Sequence, residues 1–314
     1  LSGELKNKLN ETVTVSGWVN SRRDHGGLIF IDLRDHQGII QLVITPENQQ
    51  AFTLAETLRD EFVISATGIL RERAADLKNP HIETGDIELV VESMELLNRS
   101  DTPPVNTHDD GPESSEELRL KYRYLDLRRP SMQNTLKRRA KFYSYLRNYM
   151  DRHDFIEVTT PILANSSPEG ARDFLVPSRL KPGLFYAPQQ FKQLLMVGGL
   201  PRYYQIAPCF RDEDPRADRL YGDFYQLDCE MSFVDRGETV RQTVEPLIKS
   251  LVTDFAGKKL LSEDIPRLSY QESMEKYGVD KPDLRYGMEM IELTEILKNT
   301  NFKVFQSPCV KAIR

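Results

Sequence analysis

The sequence has 314 residues, enough for two or three domains with a substantial core. Its composition, 39% hydrophobic and 29% charged, is that of a globular protein, and the net charge of −6 argues against non-specific nucleic-acid binding, although a local basic face is compatible with it. No apolar run is long enough to cross a bilayer and no signal-peptide pattern opens the chain, so we expect a cytoplasmic protein with no membrane partner. Three widely spaced cysteines and five scattered histidines favour free thiols and argue against a metal site built from side chains.

Five strands are predicted in the first hundred residues. The stretch TVTVSGWVNSRRDHGGLIFIDLRD alternates apolar and polar residues on both sides of a turn at DHGG, and the alternation returns in GIIQLVIT, EFVISATGILRER and DIELVVESMELL. The segment PENQQAFTLAETLRDEF, between the third and fourth strands, has the spacing of a helix. This order is the plan of an OB-fold barrel, which commonly binds single-stranded nucleic acid or oligosaccharide. A barrel without a ligand is the alternative.

A second, mixed domain is predicted after a linker. NRSDTPPVNTHDDGPESSEE breaks all periodicity, and helical patterns follow in SEELRLKYRYLDLRRP and MQNTLKRRAKFYSYLRNYMDRHD, then a strand, FIEVTTPIL, ending near Pro161. Strand-like LFYA and YYQIAPCFRDED then alternate with helical QQFKQLLMVGG and GETVRQTVEPLIKSLVTDFAG, which predicts an α+β domain on an antiparallel sheet. Neither G-x-G-x-x-G nor G-x-x-x-x-G-K-[ST] occurs, so a nucleotide would not be held by a Rossmann turn or a P-loop.

The strand pair around CFRDED carries polar side chains that an apolar core would not accept. Arg211 and Glu213 share a face if the first strand extends that far, and an arginine there could bridge a phosphate and a carboxylate. The alternation in DFYQLDCEMSF places four residues on one face: Phe224, Gln226, Asp228 and Glu230. That face meets either water or a polar ligand, and the pattern alone leaves both open.

Two more segments favour a ligand site. Pro-Glu-Gly in SSPEGARDFLVPS places Glu169 at a turn, and PQQFKQLLM places Gln189 and Lys192 on one face at a predicted helix start. The alternative for Lys192 is an ordinary surface lysine.

These segments together resemble the class II aminoacyl-tRNA synthetases, and specifically the bacterial-type aspartyl-tRNA synthetases. LKYRYLDLRRP resembles the entry to their catalytic domain, and the long helix and strand up to Pro161 resemble motif 1, which forms the dimer interface. CFRDED…ADR…DFYQLDCEMSF is similar to motif 2, and TPILANSSPEGARDFLVPSR and KPDLR are also family-like. The resemblance implies a multidomain protein, with an N-terminal OB-fold that binds the anticodon and a class II catalytic domain, acting as a homodimer.

For the amino acid, the resemblance implies a site for L-aspartate. It places Glu169 near the substrate ammonium, gives Gln189 a role in holding the aspartate, and pairs Lys192 with its side-chain carboxylate. Gln226 and Asp228 would help to position the amino acid. A lysine that pairs with a carboxylate leaves neutral asparagine poorly satisfied, which would make Lys192 a specificity residue.

For the nucleotide, the resemblance implies ATP as a substrate together with Mg²⁺. Arg211 would bridge the aspartate α-carboxylate and the α-phosphate, Asp212 and Glu213 would contact the nucleotide, and Phe224 would stack on adenine. The aspartate carboxylate would attack the α-phosphorus, release pyrophosphate and then pass to a ribose hydroxyl of the tRNA. Such chemistry needs orientation and charge neutralisation rather than a side-chain nucleophile.

For the barrel, the resemblance implies contacts with the anticodon of tRNA(Asp). Phe30 would stack on a base, and neighbouring strands would read base edges. The implied contact residues are Arg23, His25, Phe30, Gln41, Arg71 and Glu88. Relatives that also charge tRNA(Asn) tend to have histidine where His25 stands and stricter ones leucine, which favours tRNA(Asn) as a second substrate. A polar hairpin residue without a role is the alternative.

The chain departs from the family pattern in three places. The glycine-rich motif 3 is not found up to Arg314, about four residues are missing between Ala187 and Pro188, and LYGDFYQ replaces a usual Gln-Pro-Glu-Phe-Thr-Gln after Arg219. A non-catalytic nucleic-acid-binding module and a sister asparagine or lysine ligase therefore stay open as alternatives. The expected domains are residues 1–102 (OB-fold), 103–128 (hinge), 129–297 (catalytic domain) and 298–314 (start of an insertion domain).

Overall fold

The computed structural model describes residues 5–109, 112–162, 176, 177, 179, 181, 185, 186, 191–210 and 223–313. The chain divides into two compact units, Leu1–Arg139 and Ala140–Arg314. Within the described ranges, no helix combines the length and the apolar character needed to cross a membrane.

The first unit contains a closed five-stranded barrel. Its strands are β1 (Thr12–His25), β2 (Leu28–Arg34), β3 (Ile39–Ile44), β4 (Val63–Glu72) and β5 (Ile87–Asn98). Around the barrel the order is β1-β2-β3-β5-β4, with β3 and β5 parallel and the other pairs antiparallel. Helix α1 (Gln49–Thr57) follows β3, and single 3₁₀ turns occupy Lys6–Lys8 and Ala75–Leu77. The predicted OB-fold, with its helix after the third strand, is confirmed.

Alternation along the strands builds the barrel core. Ile29, Ile31 and Leu33 of β2 point inward and are almost completely buried, while Phe30 and Asp32 lie between them on the outward face. Where β1 turns into β2, Gly26 and Gly27 have φ of +60° and +80°, a left-handed two-residue loop that glycine adopts without strain. The predicted turn at DHGG therefore has a direct backbone reason.

A buried carboxylate also organises the first unit. Glu61, which is 3% exposed, receives hydrogen bonds from Arg34 at 2.7 and 2.8 Å and from the Thr107 hydroxyl at 2.9 Å, and it also pairs with Arg128. The Arg128 guanidinium lies 5.3 Å from the centre of the Trp18 ring. Glu61 thus ties the segment that follows the barrel to the barrel wall.

Two short helices lie in that segment, α2 (Glu116–Lys121) and α3 (Arg123–Asp126). Asp126 is fully buried and accepts hydrogen bonds from Arg119 at 2.9 Å and Arg123 at 2.6 Å. The helical pattern predicted for SEELRLKYRYLDLRRP is confirmed by these elements.

The remaining chain contains both helices and strands, in keeping with the predicted α+β class. Its helices are α4 (Pro130–Arg152), α5 (Phe191–Val197), α6 (Gly237–Ser250) with a π-helical turn at Leu251–Phe255, α7 (Tyr270–Tyr277) and α8 (Thr294–Leu297), with 3₁₀ turns at Leu284–Tyr286 and Lys303–Gln306. Its strands are β6 (Ile156–Glu157), β7 (Val176–Pro177), β8 (Phe185–Tyr186), β9 (Arg202–Phe210), β10 (Asp223–Met231), β11 (Ile291–Glu292) and β12 (Lys311–Ala312).

The sheet that matters for function has the order β10-β9-β6. The pair β9–β10 is antiparallel, as predicted, and β6 joins the other edge of β9 in parallel. One face packs on α4, where Tyr204 meets Leu146, Met150 and Phe155.

The prediction that β6 continues to Pro161 is wrong. Ladder pairing ends after the Val158 amide donates to the Tyr204 carbonyl, because the side-chain oxygen of Gln205 then accepts from the Thr160 amide at 3.1 Å. The Gln205 side chain thus replaces the backbone of β9 as the hydrogen-bond partner of this segment, and the strand ends.

Candidate active site and barrel pocket

The face of β9–β10 turned away from α4 is polar. The pairing of β9 with β10 places Tyr203 beside Glu230, Gln205 beside Asp228 and Cys209 beside Phe224. The apolar alternates Leu227, Cys229 and Met231 pack toward α4. The sequence-predicted shared face of Phe224, Gln226, Asp228 and Glu230 is therefore present.

Lys192, the second residue of α5, lies over this face. Its Nζ donates to Asp228 Oδ1 at 3.0 Å and is 2.8 Å from Glu230 Oε1. The lysine side chain is 26% exposed, so the interpretation of Lys192 as an ordinary solvated lysine does not hold. The structure thus joins two segments that the sequence could only suggest to be neighbours.

Electrostatics keep Lys192 charged. Burial alone lowers the pKa of Lys192, but its hydrogen bonds with Glu230 and Asp228 and the charges of these carboxylates outweigh burial and hold the pKa above the ordinary lysine value. An ammonium has three N–H donors, and the two carboxylates engage two of them. The third can therefore donate to an acidic ligand on the same face.

The remaining site residues of the second unit are only partly described. Gln226 is exposed, and its side-chain oxygen accepts a 3.1 Å hydrogen bond from the Cys209 thiol. Phe224 is half-buried, and its expected stacking on adenine stays a prediction. The other predicted site residues lie outside the described residues: Glu169, Gln189, Arg211, Asp212 and Glu213.

A second concave site lies on the outside of the barrel. It has a volume of about 560 Å³, and the structure brings five of the six predicted anticodon residues to it. These are Arg23, His25, Phe30, Gln41 and Glu88. The half-buried Phe30 ring offers a stacking surface among donors and acceptors, the combination that reads unpaired bases.

Arg71, the sixth predicted residue, does not line this pocket, but it pairs with a residue that does. Its Nε donates to Glu88 Oε1 at 2.8 Å, and Glu88 is 6% exposed. Arg71 therefore orients the Glu88 carboxylate.

The pocket also contains residues that sequence reasoning missed. Asp32 accepts hydrogen bonds from Arg23 and Ser21, both at 2.8 Å, and buried Arg73 lies 3.8 Å from Glu88. Asp32 could have been found, because period-two alternation places it on the same face as Phe30. The β4–β5 connection contributes three further residues to the pocket, Leu77, Asn79 and Ile82. No periodicity in that segment predicts which way a side chain points.

This combination of an outward-facing barrel pocket with a polar β-hairpin face agrees with two family matches. Residues 115–307 match the tRNA synthetases of class II (D, K and N), and residues 13–97 match the OB-fold nucleic acid binding domain. The chain belongs to the class II tRNA synthetases.

Relatives within the class II tRNA synthetases are similar over nearly all of the chain. An aspartate–tRNA(Asp/Asn) ligase of Chlorobium phaeobacteroides (strain BS1) is 49% identical over 97% of this chain and 51% of its own length. One of Syntrophomonas wolfei subsp. wolfei (strain DSM 2245B / Goettingen) is 53% identical over 94% of this chain and 50% of its own length. The chain thus spans about half the length of the curated relatives it matches.

A solved class II tRNA synthetase supports the fold. The asparaginyl-tRNA synthetase from Pyrococcus horikoshii, complexed with asparaginyl-adenylate, superposes with a TM-score of 0.68 at 22% identity, covering 95% of this chain and 66% of that one. At this identity the likeness concerns the architecture alone.

Proposed function

We propose that the protein is an aspartate–tRNA ligase that activates L-aspartate with ATP and transfers it to tRNA(Asp) and also to tRNA(Asn). The observation that carries the proposal is Lys192 fixed by Asp228 and Glu230, with one N–H donor that no described residue uses and that can serve an acidic ligand. The names of the curated relatives, aspartate–tRNA(Asp/Asn) ligases, support the same substrate.

Charge selects aspartate over the sister substrates. The Lys192 ammonium attracts a side-chain carboxylate, whereas the neutral amide of asparagine can offer only a weaker hydrogen bond without charge attraction. A lysine substrate would bring a second ammonium against the first. The polar face of β10 therefore favours aspartate over the asparagine and lysine alternatives.

The reaction is acyl activation followed by acyl transfer. The α-carboxylate oxygen of aspartate attacks the α-phosphorus of ATP, the bond from that phosphorus to the bridging oxygen breaks, and pyrophosphate leaves. A ribose hydroxyl of the tRNA 3′ end then attacks the acyl carbon, and AMP leaves. The chain contributes orientation and charge, with Lys192 binding the side-chain carboxylate and Gln226 and Asp228 positioning the amino acid.

The nucleotide contacts stay predictions of this proposal. They assign Arg211 to the α-carboxylate and α-phosphate, Asp212 and Glu213 to the nucleotide and Phe224 to adenine. Glu169 and Gln189 are assigned to the amino acid.

Mg²⁺ does not fit a protein site in the described part of the chain, where no three His, Cys, Asp or Glu side chains come together as ligands. We propose that Mg²⁺ enters with the ATP phosphates.

The barrel pocket is proposed to bind the anticodon. Phe30 supplies a stacking surface, and Arg23, Gln41 and Glu88 supply donors and acceptors for base edges. We also propose that the protein is a homodimer in the cytoplasm, with the domain limits given by the sequence pattern. Light scattering and limited proteolysis test the dimer and the limits.

Exchange of pyrophosphate into ATP by the full-length protein tests the activity. We expect exchange that depends on aspartate, with asparagine and lysine giving at most a hundredth of that rate. Exchange that depends on asparagine or lysine would support a sister ligase. If no amino acid supports exchange while the tRNA still binds, the non-catalytic alternative is correct.

Replacing His25 with leucine tests the second tRNA. His25 ends β1 at the edge of the barrel pocket, where its exposed ring can reach an anticodon base. We expect His25→Leu to lower charging of tRNA(Asn) by about tenfold relative to tRNA(Asp), the size of one lost hydrogen bond. His36→Leu, on the turn between β2 and β3, is the control; equal charging of both tRNAs by His25→Leu would contradict the role.

A further inference from the structure

Two adjacent tyrosines of β9 are buried on opposite faces of the sheet. Tyr203 is 0% exposed and Tyr204 is 1% exposed. The Tyr204 hydroxyl lies 3.4 Å from a Glu157 oxygen and 3.5 Å from an Asp151 oxygen on the α4 side. The Tyr203 hydroxyl is out of contact with solvent and makes no hydrogen bond with any residue that the structure describes.

An unpaired buried hydroxyl is unfavourable. Leaving such a group without a partner costs about 1–3 kcal/mol, and native structures contain few of them. Phenylalanine would fill nearly the same volume without this cost. The Tyr203 hydroxyl therefore needs an explanation other than packing.

The surroundings of Tyr203 point to the proposed amino-acid site. Tyr203 is paired with Glu230 across the strands, and the charges of Asp228, Lys192 and Glu230 all act on its phenol. Burial, reinforced by Asp228, raises the pKa of Tyr203 to about 12, so the hydroxyl is a donor at neutral pH. The nearby Thr160 hydroxyl acts on the Tyr203 phenol and lowers its pKa, but Thr160 makes its 2.9 Å hydrogen bond with Gln205, and its contact with the Tyr203 hydroxyl does not have the geometry of a hydrogen bond.

Binding of an acidic ligand creates a need for another donor on this face. Lys192 donates to Asp228 at 3.0 Å, and a bound carboxylate would draw on the same ammonium. The hydrogen bond from Lys192 to Asp228 then weakens. The Asp228 carboxylate, only a quarter exposed, loses part of the hydrogen bonding that balances its buried charge. Tyr203 is the nearby neutral donor that can supply it.

We propose that Tyr203 is a positioning residue of the aspartate site, whose hydroxyl donates to the Asp228 carboxylate when the amino acid binds. This inference rests on the proposed aspartate ligase function. Tyr203 acts through Asp228 and Lys192, so its hydroxyl affects the aspartate and not the ATP.

Tyr203→Phe in the full-length protein tests the proposal. We expect the KM for aspartate in pyrophosphate exchange to rise roughly tenfold or more, the effect of one hydrogen bond to a charged group. The KM for ATP should stay within twofold. The thermal midpoint should be unchanged or higher, because the variant removes an unpaired hydroxyl from the unliganded protein.

Tyr204→Phe is the matched control, since it removes the same atom one residue away on the opposite face. We expect its thermal midpoint to be unchanged or lower and its KM for aspartate to be that of the wild type. A spectator hydroxyl at Tyr203 would leave the KM for aspartate unchanged, and a purely structural one would lower the thermal midpoint; either result overturns the proposal. Equal increases of the KM for aspartate and ATP would also overturn it.

The wild-type measurement separates this proposal from the function on which it rests. A wild-type protein without aspartate-dependent exchange overturns the ligase function, and the positioning role with it. A wild type with normal exchange and an indistinguishable Tyr203→Phe variant overturns the positioning role alone.

Discussion

In the barrel, inward-facing residues such as Ile31 and Leu42 form a core enclosed by all five strands. The pocket lies outside this core, on the outward face of the strands and on the β4–β5 connection. In the sheet of the second unit, one face of β9 and β10 packs on α4, and the other face is itself the candidate site. The apolar core of the barrel and its pocket thus use different residues, although buried polar residues such as Glu88 line the pocket. In the sheet, buried Tyr203 and half-buried Asp228 are part of the fold and also of the proposed site, so we expect stability and function to be coupled there.

The largest expected effect tests that coupling. Lys192→Met leaves Asp228 and Glu230 without their shared cation and removes the proposed donor for the substrate carboxylate. We expect kcat/KM for aspartate in pyrophosphate exchange to fall at least a hundredfold. Lys249→Met is the control, because Lys249 forms a 2.8 Å pair with Glu245 within α6 and should leave exchange unchanged. A Lys192→Met variant that retains a tenth of the activity would contradict the proposal that this face of the sheet is the amino-acid site.

The second effect concerns a charged group of the barrel that we expect to be purely structural. Glu61→Gln leaves the guanidinium groups of Arg34 and Arg128 without a counter-charge, and should reduce the free energy of unfolding by about 3 kcal/mol at pH 7. Fluorescence of Trp18, the one tryptophan of the sequence, during urea unfolding measures it. Glu56→Gln, on the exposed side of α1, is the control and should change stability by less than about 0.5 kcal/mol.

The same variant has a defined pH dependence. Burial raises the pKa of Glu61. The hydrogen bonds from Arg34 and Thr107 and the charges of Arg34 and Arg128 lower it by more than burial raises it, so the folded-state pKa is below the ordinary value. A depressed carboxyl pKa stabilises the fold above the unfolded-state value of about 4.3 and loses that contribution as pH falls through the folded-state value. The difference between wild type and Glu61→Gln should therefore shrink in acid; a constant difference would contradict the ion pair as its origin.

A third effect concerns the barrel pocket. Phe30→Ala removes a stacking surface worth about 1–3 kcal/mol per base, so the KM for tRNA should rise about 5- to 150-fold. Aspartate-dependent exchange without tRNA should not change, because the ring lies outside the barrel core. Ile69→Ala, an exposed apolar position on β4 that does not line the pocket, is the control. Weaker exchange in Phe30→Ala would show that binding and folding are not separate in the barrel.

The barrel was predictable because its signals are local. Period-two alternation defined all five strands, and Gly26–Gly27 fixed the first hairpin through backbone sterics alone. The same alternation predicted the polar face of β10. It also implies the outward direction of Asp32, although alternation alone does not indicate a pocket there.

What the sequence did not reveal depends on distant partners. Lys192 was assigned to a substrate carboxylate through the family resemblance, but its pairing with Asp228 and Glu230 requires α5 to lie over β10. The early end of β6 depends on the Gln205 side chain from another strand. The unpaired hydroxyl of Tyr203 cannot be predicted either, because a buried tyrosine with a hydrogen-bond partner and one without it look the same in the sequence.

The parallel pairing of β3 with β5 has a consequence for the order of folding. Leu42 of β3 and Leu89 of β5 are neighbours in the barrel, with all of α1 and β4 between them in the chain. Pairing β3 with β5 should follow formation of the β1–β2 hairpin. Closing the long loop between them lowers the chain entropy before the contacts that stabilise the pair have formed. All five strands end by Asn98, so on the ribosome the barrel can close before the segment that contains Lys192 and Asp228 has been synthesised.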